Sequence, residues 1–351
     1  ADFLKTEAVA FRSLAEPWID LTLPGRVDLH VPLGDVEAEM PFWSTVLARL
    51  GGEYRWRDAG WLLARFPLNR LPAAALVALR EHAAFFTQPF PAPAPAAREL
   101  PHAAALRTGW TDGDTVVAVS LSRGAMGHLH ADAGHVVLAW HGRSWITDPG
   151  YQQYKPGPER DYTLGGRAHN APVINGAAQK TRAAEFRELT TDADGTQRVT
   201  VEMSKGFAGL LTAASVRRSV WLSPKAQPRV VTRDVFRHCA PATEIATHWL
   251  GGAHLAWAFV DGWARLSDGE HVLWIGTTAG PLQAAQLEKV DGSRGPLTLG
   301  HRAVLAEGHG ETWWALVGGE ATDWQPPIME LGASALTLKS PTDGAAWAIA
   351  R

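Results

Sequence analysis

The first 90 residues carry helical periodicity. In "GDVEAEMPFWSTVLARLGG", Val36, Met40, Trp43, Val46, Leu47 and Leu50 recur at three- and four-residue intervals. That spacing predicts one apolar helix face, and Gly51-Gly52 is expected to stop the run. Residues 71–86, rich in Ala and Leu with Pro72 near the start, predict a second helix. Residues 4–16 predict a third, and the stretch around Tyr54, "GGEYRWRDAGW", reads as the start of another. Alternating Pro and Ala then fill residues 87–100, which can neither continue a helix nor join a central strand. That stretch predicts a stiff linker.

After the linker the pattern changes to short β-type runs broken by Gly, Pro, Asp and Asn. They include "TVVAVSLS" (115–122), "HVVLAW" (135–140), "RVTVEMS" (198–204), "VRRSVWLS" (216–223), "RVVTRDVF" (229–236) and "HVLWIG" (271–276). Such runs continue to Arg351 with almost no helical periodicity, which predicts a large antiparallel sandwich. The organisation expected is an α+β multidomain chain. A helical region spans residues 1–90, a Pro/Ala linker 91–100 and a sandwich domain 101–351.

Composition narrows the function classes. The net charge of −3 leaves no basic footprint for nucleic acid. No apolar run approaches the ~20 residues that span a bilayer. The single cysteine, Cys239, excludes an internal disulfide framework and a Cys-rich zinc site. Arginine outnumbers lysine 26 to 7, and 16 tryptophans stand against four tyrosines. Arg forks grip carboxylates and Trp faces stack on sugar rings, although core packing and codon bias account for most of these residues.

Chemistry concentrates in "GHLHADAGHVVLAWHGRSWITDPGYQQY" (127–154), which holds four histidines and two aspartates. His128 and His130, two residues apart on extended chain, point to one side about 6.6 Å apart. "HGR" (141–143) is a candidate hairpin turn that returns the chain toward Asp148. A simple hairpin there would set Asp148 beside His135. For Asp148 to meet His130, the segment "ADAG" (131–134) must leave regular pairing and curl, which Gly134 allows. His135 therefore competes as a ligand. Two imidazoles and a carboxylate make a suitable zinc shell, and a satisfied polar network is the alternative reading.

The order of the pieces "HVPLGD" (30–35), "GHLHAD" (127–132), "DPGYQQY" (148–154) and "RAHNAPVINGAAQ" (167–179) resembles the heparinase II/III-type polysaccharide lyases, a group that includes alginate and oligo-alginate lyases. The likeness covers most of residues 30–180. It implies a helical part corresponding to an incomplete α/α toroid, ahead of the sandwich. It further implies a structural Zn²⁺ held by His130, Asp148 and His169, with His128 as the catalytic histidine and Asp132 bracing the loop. The activity implied is β-elimination on a uronate glycan, in the periplasm or outside the cell. Arg123, Arg167 and Asn170 become candidates for contact with the substrate carboxylate.

One element of the family pattern is missing: an upstream catalytic Tyr from the toroid. Tyr154 and Tyr162, which flank the cluster, are the candidate substitutes. Two other functions therefore stay open, a non-catalytic carbohydrate-binding or scaffold fragment of a larger lyase and a zinc-dependent hydrolase. Expected partners are an acidic polysaccharide or oligosaccharide and, for the assembly, either a homo-oligomer or a missing N-terminal segment. His248 in "ATHWLGG" and the aromatic run "ETWWALV" (311–317) could line a sugar cleft or fill the sandwich.

Overall fold

The computed structural model describes residues 8–35, 42–122, 130–150, 155–177, 179–180, 184–288, 294–340 and 344–351. Most of that chain is antiparallel sheet, with few helices. The helical region comprises α1 (Ala8–Asp20), α2 (Phe42–Glu53), α3 (Arg57–Leu63), α4 (Ala73–Glu81) and α5 (Ala83–Phe86). These short helices pack around Ala48, Ala59, Trp61, Leu62 and Ala75. The toroid that the resemblance implied is not among the described residues.

Two helix boundaries differ from the sequence expectation. Gly51 and Gly52 do not stop α2, which runs on to Glu53. Their lack of a side chain is used instead for close packing. A Cβ on Gly51 would lie 2.9 Å from Ala59 Cβ, and one on Gly52 would overlap the His82 ring. The single helix expected over 71–86 is broken at His82, whose φ of −109° and ψ of 27° separate α4 from α5.

The sandwich matches the β-patterned stretches closely. A short pair, β1 (Thr22–Leu23) and β2 (Arg26–His30), precedes a nine-stranded sheet of β3 (Arg98–Glu99), β4 (Ala103–Arg107), β5 (Thr115–Ser120), β6 (Val136–Trp140), β7 (Arg143–Ile146), β8 (Pro172–Ile174), β13 (Thr243–Gly251), β17 (Gln283–Glu288) and β18 (Arg294–Leu305). Facing it, an eight-stranded sheet comprises β9 (Glu185–Thr191), β10 (Gln197–Glu202), β11 (Ser215–Leu222), β12 (Arg229–Arg237), β14 (Ala256–Val260), β15 (Trp263–Ser267), β16 (His271–Thr277) and β19 (Gly310–Glu320). Leu106, Val117, Leu138, Trp249 and Leu299 from the first meet Val201, Val220, Phe236, Leu273 and Trp314 from the second. Each fully buried aliphatic side chain there contributes roughly 1.5–3 kcal/mol.

A further layer was not anticipated. β20 (Ile328–Leu331), β21 (Ala335–Lys339) and β22 (Ala346–Ala350) form a small sheet. It covers the outer face of the eight-stranded sheet, burying Trp221, Trp274 and Trp313 against Leu336, Leu338 and Trp347. The "ETWWALV" run is therefore core on both faces: Trp313 and Trp314 are each fully buried.

The outer face of the nine-stranded sheet is shared. Over β4, β5 and β6 it is lined by small residues, Ala103, Ala105, Ala118 and Ala139, on which Leu21, Leu23, Val31 and Leu33 lie. The buried Arg107 guanidinium fixes this cover by donating to the carbonyls of Asp20, Thr22 and Gly109. This docking brings Gly34 and Asp35 to the histidine cluster.

Candidate metal centre and adjoining cleft

His141 and Gly142 both adopt positive φ, 49° and 64°, and link Trp140 to Arg143 in the two-residue turn expected for this hairpin. A register shift near Leu138 and Ala139 moves Asp148 off the simple pairing. Upstream, His135 N–H donates to Asp132 O, and Gly134, at φ +77°, donates its own N–H to Ser120 O. This is the curl that brings His130 to Asp148. The third component follows the short helix α6 (Pro158–Leu164) and a single 3₁₀ turn, Gly166–Ala168, that ends at His169.

His130, Asp148 and His169 converge so that one ligand atom from each lies within 4.8 Å of the others, and all three are buried. Their hydrogen bonds assign the tautomers. His130 Nε2 lies 2.9 Å from Asp35 Oδ1, a carboxylate that can only accept, so His130 carries its proton on Nε2. His169 Nδ1 lies 3.0 Å from the Gly165 carbonyl and must likewise be protonated there. The bare nitrogens, His130 Nδ1 and His169 Nε2, then face each other at 3.0 Å. Two lone pairs at that distance repel unless a proton or a metal cation lies between them. Nitrogens bound tetrahedrally to zinc at 2.0–2.1 Å are separated by about 3.3 Å, close to the spacing found. The donor set thus fits a metal ion. Burial holds the His169 pKa down to about 3, which keeps its lone pair free.

His135 does not compete. Its Nδ1 accepts the Asn170 backbone N–H at 2.7 Å, so its proton sits on Nε2 and no lone pair is left for a metal. That Nε2–H lies 3.1 Å from Asp148 Oδ2, close in distance but too bent to count as a full hydrogen bond. Burial alone would raise Asp148. The His135 contact and the facing imidazoles outweigh it and keep the carboxyl ionised, below its usual range. Asp148 also accepts from the N–H groups of Gly34 and Gly150.

Asp35 anchors the assembly. It accepts from His130 and from both forks of Arg160, at 2.6 and 3.1 Å, and its side chain is 1% exposed. Burial opposes its charge, but Arg160 and His130 hold its pKa below the ordinary value. A carboxylate behind a metal-facing histidine fixes the ring and raises its basicity. From the opposite sheet, Arg218 pairs with Asp234 at 2.7 Å and donates to the carbonyls of Gly134 and Asn170, which braces the loops from below.

Beside this centre, on the outer face of β13 and β18, lies a cleft of about 380 Å³ lined by Tyr162, Arg167, His248, Gln283, Thr298 and Arg302, among others. An adjoining cavity of about 280 Å³ shares Arg167, His248 and Arg302 and adds Glu244.

The chain matches the family model described as Heparinase II/III-like, C-terminal, over residues 95–324. The chain belongs to this family. The fold of this heparinase II/III-like chain is similar to a heparan sulfate lyase from Pedobacter heparinus, at 15% identity and a TM-score of 0.70. That match covers 95% of this chain and 51% of the other. It is also similar to a heparinase III structure, at 15% identity and a TM-score of 0.70, covering 99% of this chain and 55% of that one. A heparinase III gene product matches at 10% identity and a TM-score of 0.70, covering 94% and 50%. The chain thus spans about half the length of these structures. No curated protein matches the sequence.

The expected site residues fall into four groups. His130, Asp148 and His169 come together. Tyr162 and Arg167 line the cleft, Tyr162 with its hydroxyl 3.2 Å from Thr298 Oγ1. Burial raises the Tyr162 pKa, opposed by the Thr298 bond, so the phenol keeps its proton at neutral pH. Asn170 is fully buried. Its amide donates to the carbonyls of Val136 and Thr147 and accepts from Leu250 N–H, which leaves none of it for a substrate. His128, Arg123 and Tyr154 lie outside the described residues. Asp132 is buried beside the centre, where desolvation lifts its pKa to about 6. Asp35, Arg160 and Arg218 were missed. Only the Gly34-Asp35 pair, within the quoted "HVPLGD", carries a signal.

Proposed function

We propose that this chain forms part of a lyase that cleaves an acidic, uronate-containing polysaccharide by β-elimination, with structural zinc held by His130, Asp148 and His169. One observation carries the reading. In a heparinase II/III-like chain, the metal-ready trio lies at the base of the segment that delivers Tyr162 and Arg167 to an open cleft. Zinc, when bound, would neutralise the lone pairs that face each other and tie three loops together.

The remaining roles fall to side chains. Arg167 neutralises the substrate carboxylate and so acidifies the C5–H bond. A base removes that proton, the C5–H electrons become the C4=C5 double bond, and the C4–O bond breaks with its electrons on oxygen. Tyr162, which keeps its proton, suits the donor to that leaving oxygen, and His128 suits the base. The family relationship supports action in the periplasm or outside the cell; among the described residues no helix is long and apolar enough to cross a membrane.

A second reading has its own support: the chain spans about half of the structures it resembles. On that reading the cleft binds glycan without cleaving it. Ultraviolet absorbance separates the two. Lyase action on uronate polysaccharides produces a chromophore that grows with time, and it disappears in His128→Ala and Tyr162→Phe. Glycan retention with no chromophore from the parent chain supports the binding reading and sinks the lyase one.

A further inference from the structure

Alternation along β13 sends Ile245 and Trp249 into the core between the sheets, and therefore sends Glu244, Ala246 and His248 to the outer face. On β18, Leu297 and Leu299 go inward, which leaves Thr298, Gly300 and Arg302 outward. His248 pairs with Gly300, whose missing side chain makes room for the imidazole: a Cβ there would lie 3.0 Å from Nδ1. Arg302 pairs with Ala246, one step along. Arg167 approaches from the 3₁₀ turn that precedes His169.

Arg167 and Arg302 are exposed and flank the cleft from two different elements. Many of the molecule's arginines are engaged by carboxylates, as Arg26, Arg49, Arg160, Arg218 and Arg233 are. These two make no ion pair or hydrogen bond among the described residues. Their joint field is felt at His248, where it adds to burial in keeping the imidazole neutral, with a pKa of about 4. The charge around them is also asymmetric. The cavity on one side includes Glu244, whereas the lobe toward Tyr162, Gln283 and Thr298 is lined by no carboxylate among the described residues. Two guanidinium forks that are unpaired among the described residues, over a lobe with no described carboxylate, form a seat for an anion.

We propose that Arg167 and Arg302 form an anion clamp that holds a charged substituent of the glycan, a uronate carboxylate or a sulfate ester, in the lobe between Tyr162, Thr298 and His248. The clamp names the substrate class of the proposed site and so rests on the cleft being a glycan cleft. It requires no catalysis. Arg302 is a specificity residue that no motif marks: it lies far along the chain from the histidine cluster and reaches the cleft only through the pairing of β18 with β13.

The test is calorimetric titration of the full 351-residue chain with three probes. Oligogalacturonate carries carboxylates alone, a sulfated dextran oligosaccharide carries sulfates alone, and a maltooligosaccharide is neutral. Arg167→Gln and Arg302→Gln should each weaken binding of at least one charged probe by about 5- to 30-fold, with the neutral probe unchanged. Arg302→Lys should recover only part of the loss, because it keeps the charge and loses the fork. Which charged probe responds identifies the substituent. Both arginines are exposed, so thermal unfolding of the variants should match the parent. The clamp is overturned if the double variant binds both charged probes as the parent does, or if neither probe binds the parent. An absence of ultraviolet product alongside arginine-dependent binding would remove the lyase reading and leave the clamp standing.

Discussion

Asp35→Asn is the sharpest single perturbation of the metal centre, because it keeps the volume and removes only the charge. Three hydrogen bonds converge on the Asp35 carboxylate, from His130 Nε2 at 2.9 Å and Arg160 at 2.6 and 3.1 Å. An amide at this position offers one accepting oxygen in place of two, so one bond is lost and the others no longer have an ionised acceptor. Bonds to a charged group contribute about 1.5–3 kcal/mol against about 1 kcal/mol for neutral ones. Arg160 is itself 14% exposed and can partly return to water, which reduces the cost. The expected loss is therefore about 2–4 kcal/mol of stability. His130 also loses the partner that fixes its ring, and metal affinity should fall about 10- to 100-fold. Competition against a chromophoric zinc chelator reads the affinity, and urea unfolding in chelator-free and chelator-containing buffer reads the stability. Zinc affinity within twofold of the parent would refute the claim that Asp35 positions His130.

Three further outcomes follow from particular contacts. Asn170→Ala strands two buried carbonyls and one N–H, at about 1–3 kcal/mol each, and should destabilise the chain by several kcal/mol in urea melts; a variant as stable as the parent would return Asn170 to the list of substrate contacts. His30 is buried against Trp18, and desolvation holds its folded pKa at about 4, against 6.5 when unfolded, despite its bond to the Trp18 backbone and the charge of Asp28. The unfolded chain therefore binds the extra proton between pH 6.5 and 4, and stability falls as pH drops through that window, by up to roughly 3 kcal/mol. His30→Gln should flatten the pH dependence of the melting temperature there, and equal slopes for parent and variant would discount it. Gly52→Ala drives a methyl group into the His82 ring and should cost about 1–3 kcal/mol by thermal melt, although alanine is the better helix former; a rise in Tm would show that α2 and His82 are not so closely packed.

The parts of this structure that could be read in the sequence are those fixed by short-range rules. Short apolar and β-branched runs placed the strands at 115–120, 136–140, 197–202 and 215–222 within a residue or two; the first two are buried on both faces and the last alternates over its first half. The His141-Gly142 turn was legible because it needs two residues at positive φ. His130, Asp148 and His169 were legible as a linked set of motifs. Asp35 was not, since it meets His130 only after residues 21–33 dock on the alanine-lined face of the nine-stranded sheet. Local rules misread Gly51 and Gly52, where close approach of α3 and His82 overrides the poor helix propensity of glycine. The small C-terminal sheet left one trace: "TWWALV" is apolar at both parities, the mark of a strand buried on both faces. Of the cleft, Tyr162, Arg167 and His248 were legible only as separate candidates, and Arg302 was not legible, because the four come from separate elements.

The central claim, that this fold builds a cation site from His130, Asp148 and His169 and excludes His135, is tested most directly by metal stoichiometry. The chain is refolded in metal-free buffer, given excess zinc, dialysed and analysed by elemental mass spectrometry. One zinc per chain is predicted for the parent and for His135→Gln, with almost none for His169→Ala at equal folded content. A parent that retains no zinc, or a His135→Gln chain that loses it as fully as His169→Ala does, would contradict the account.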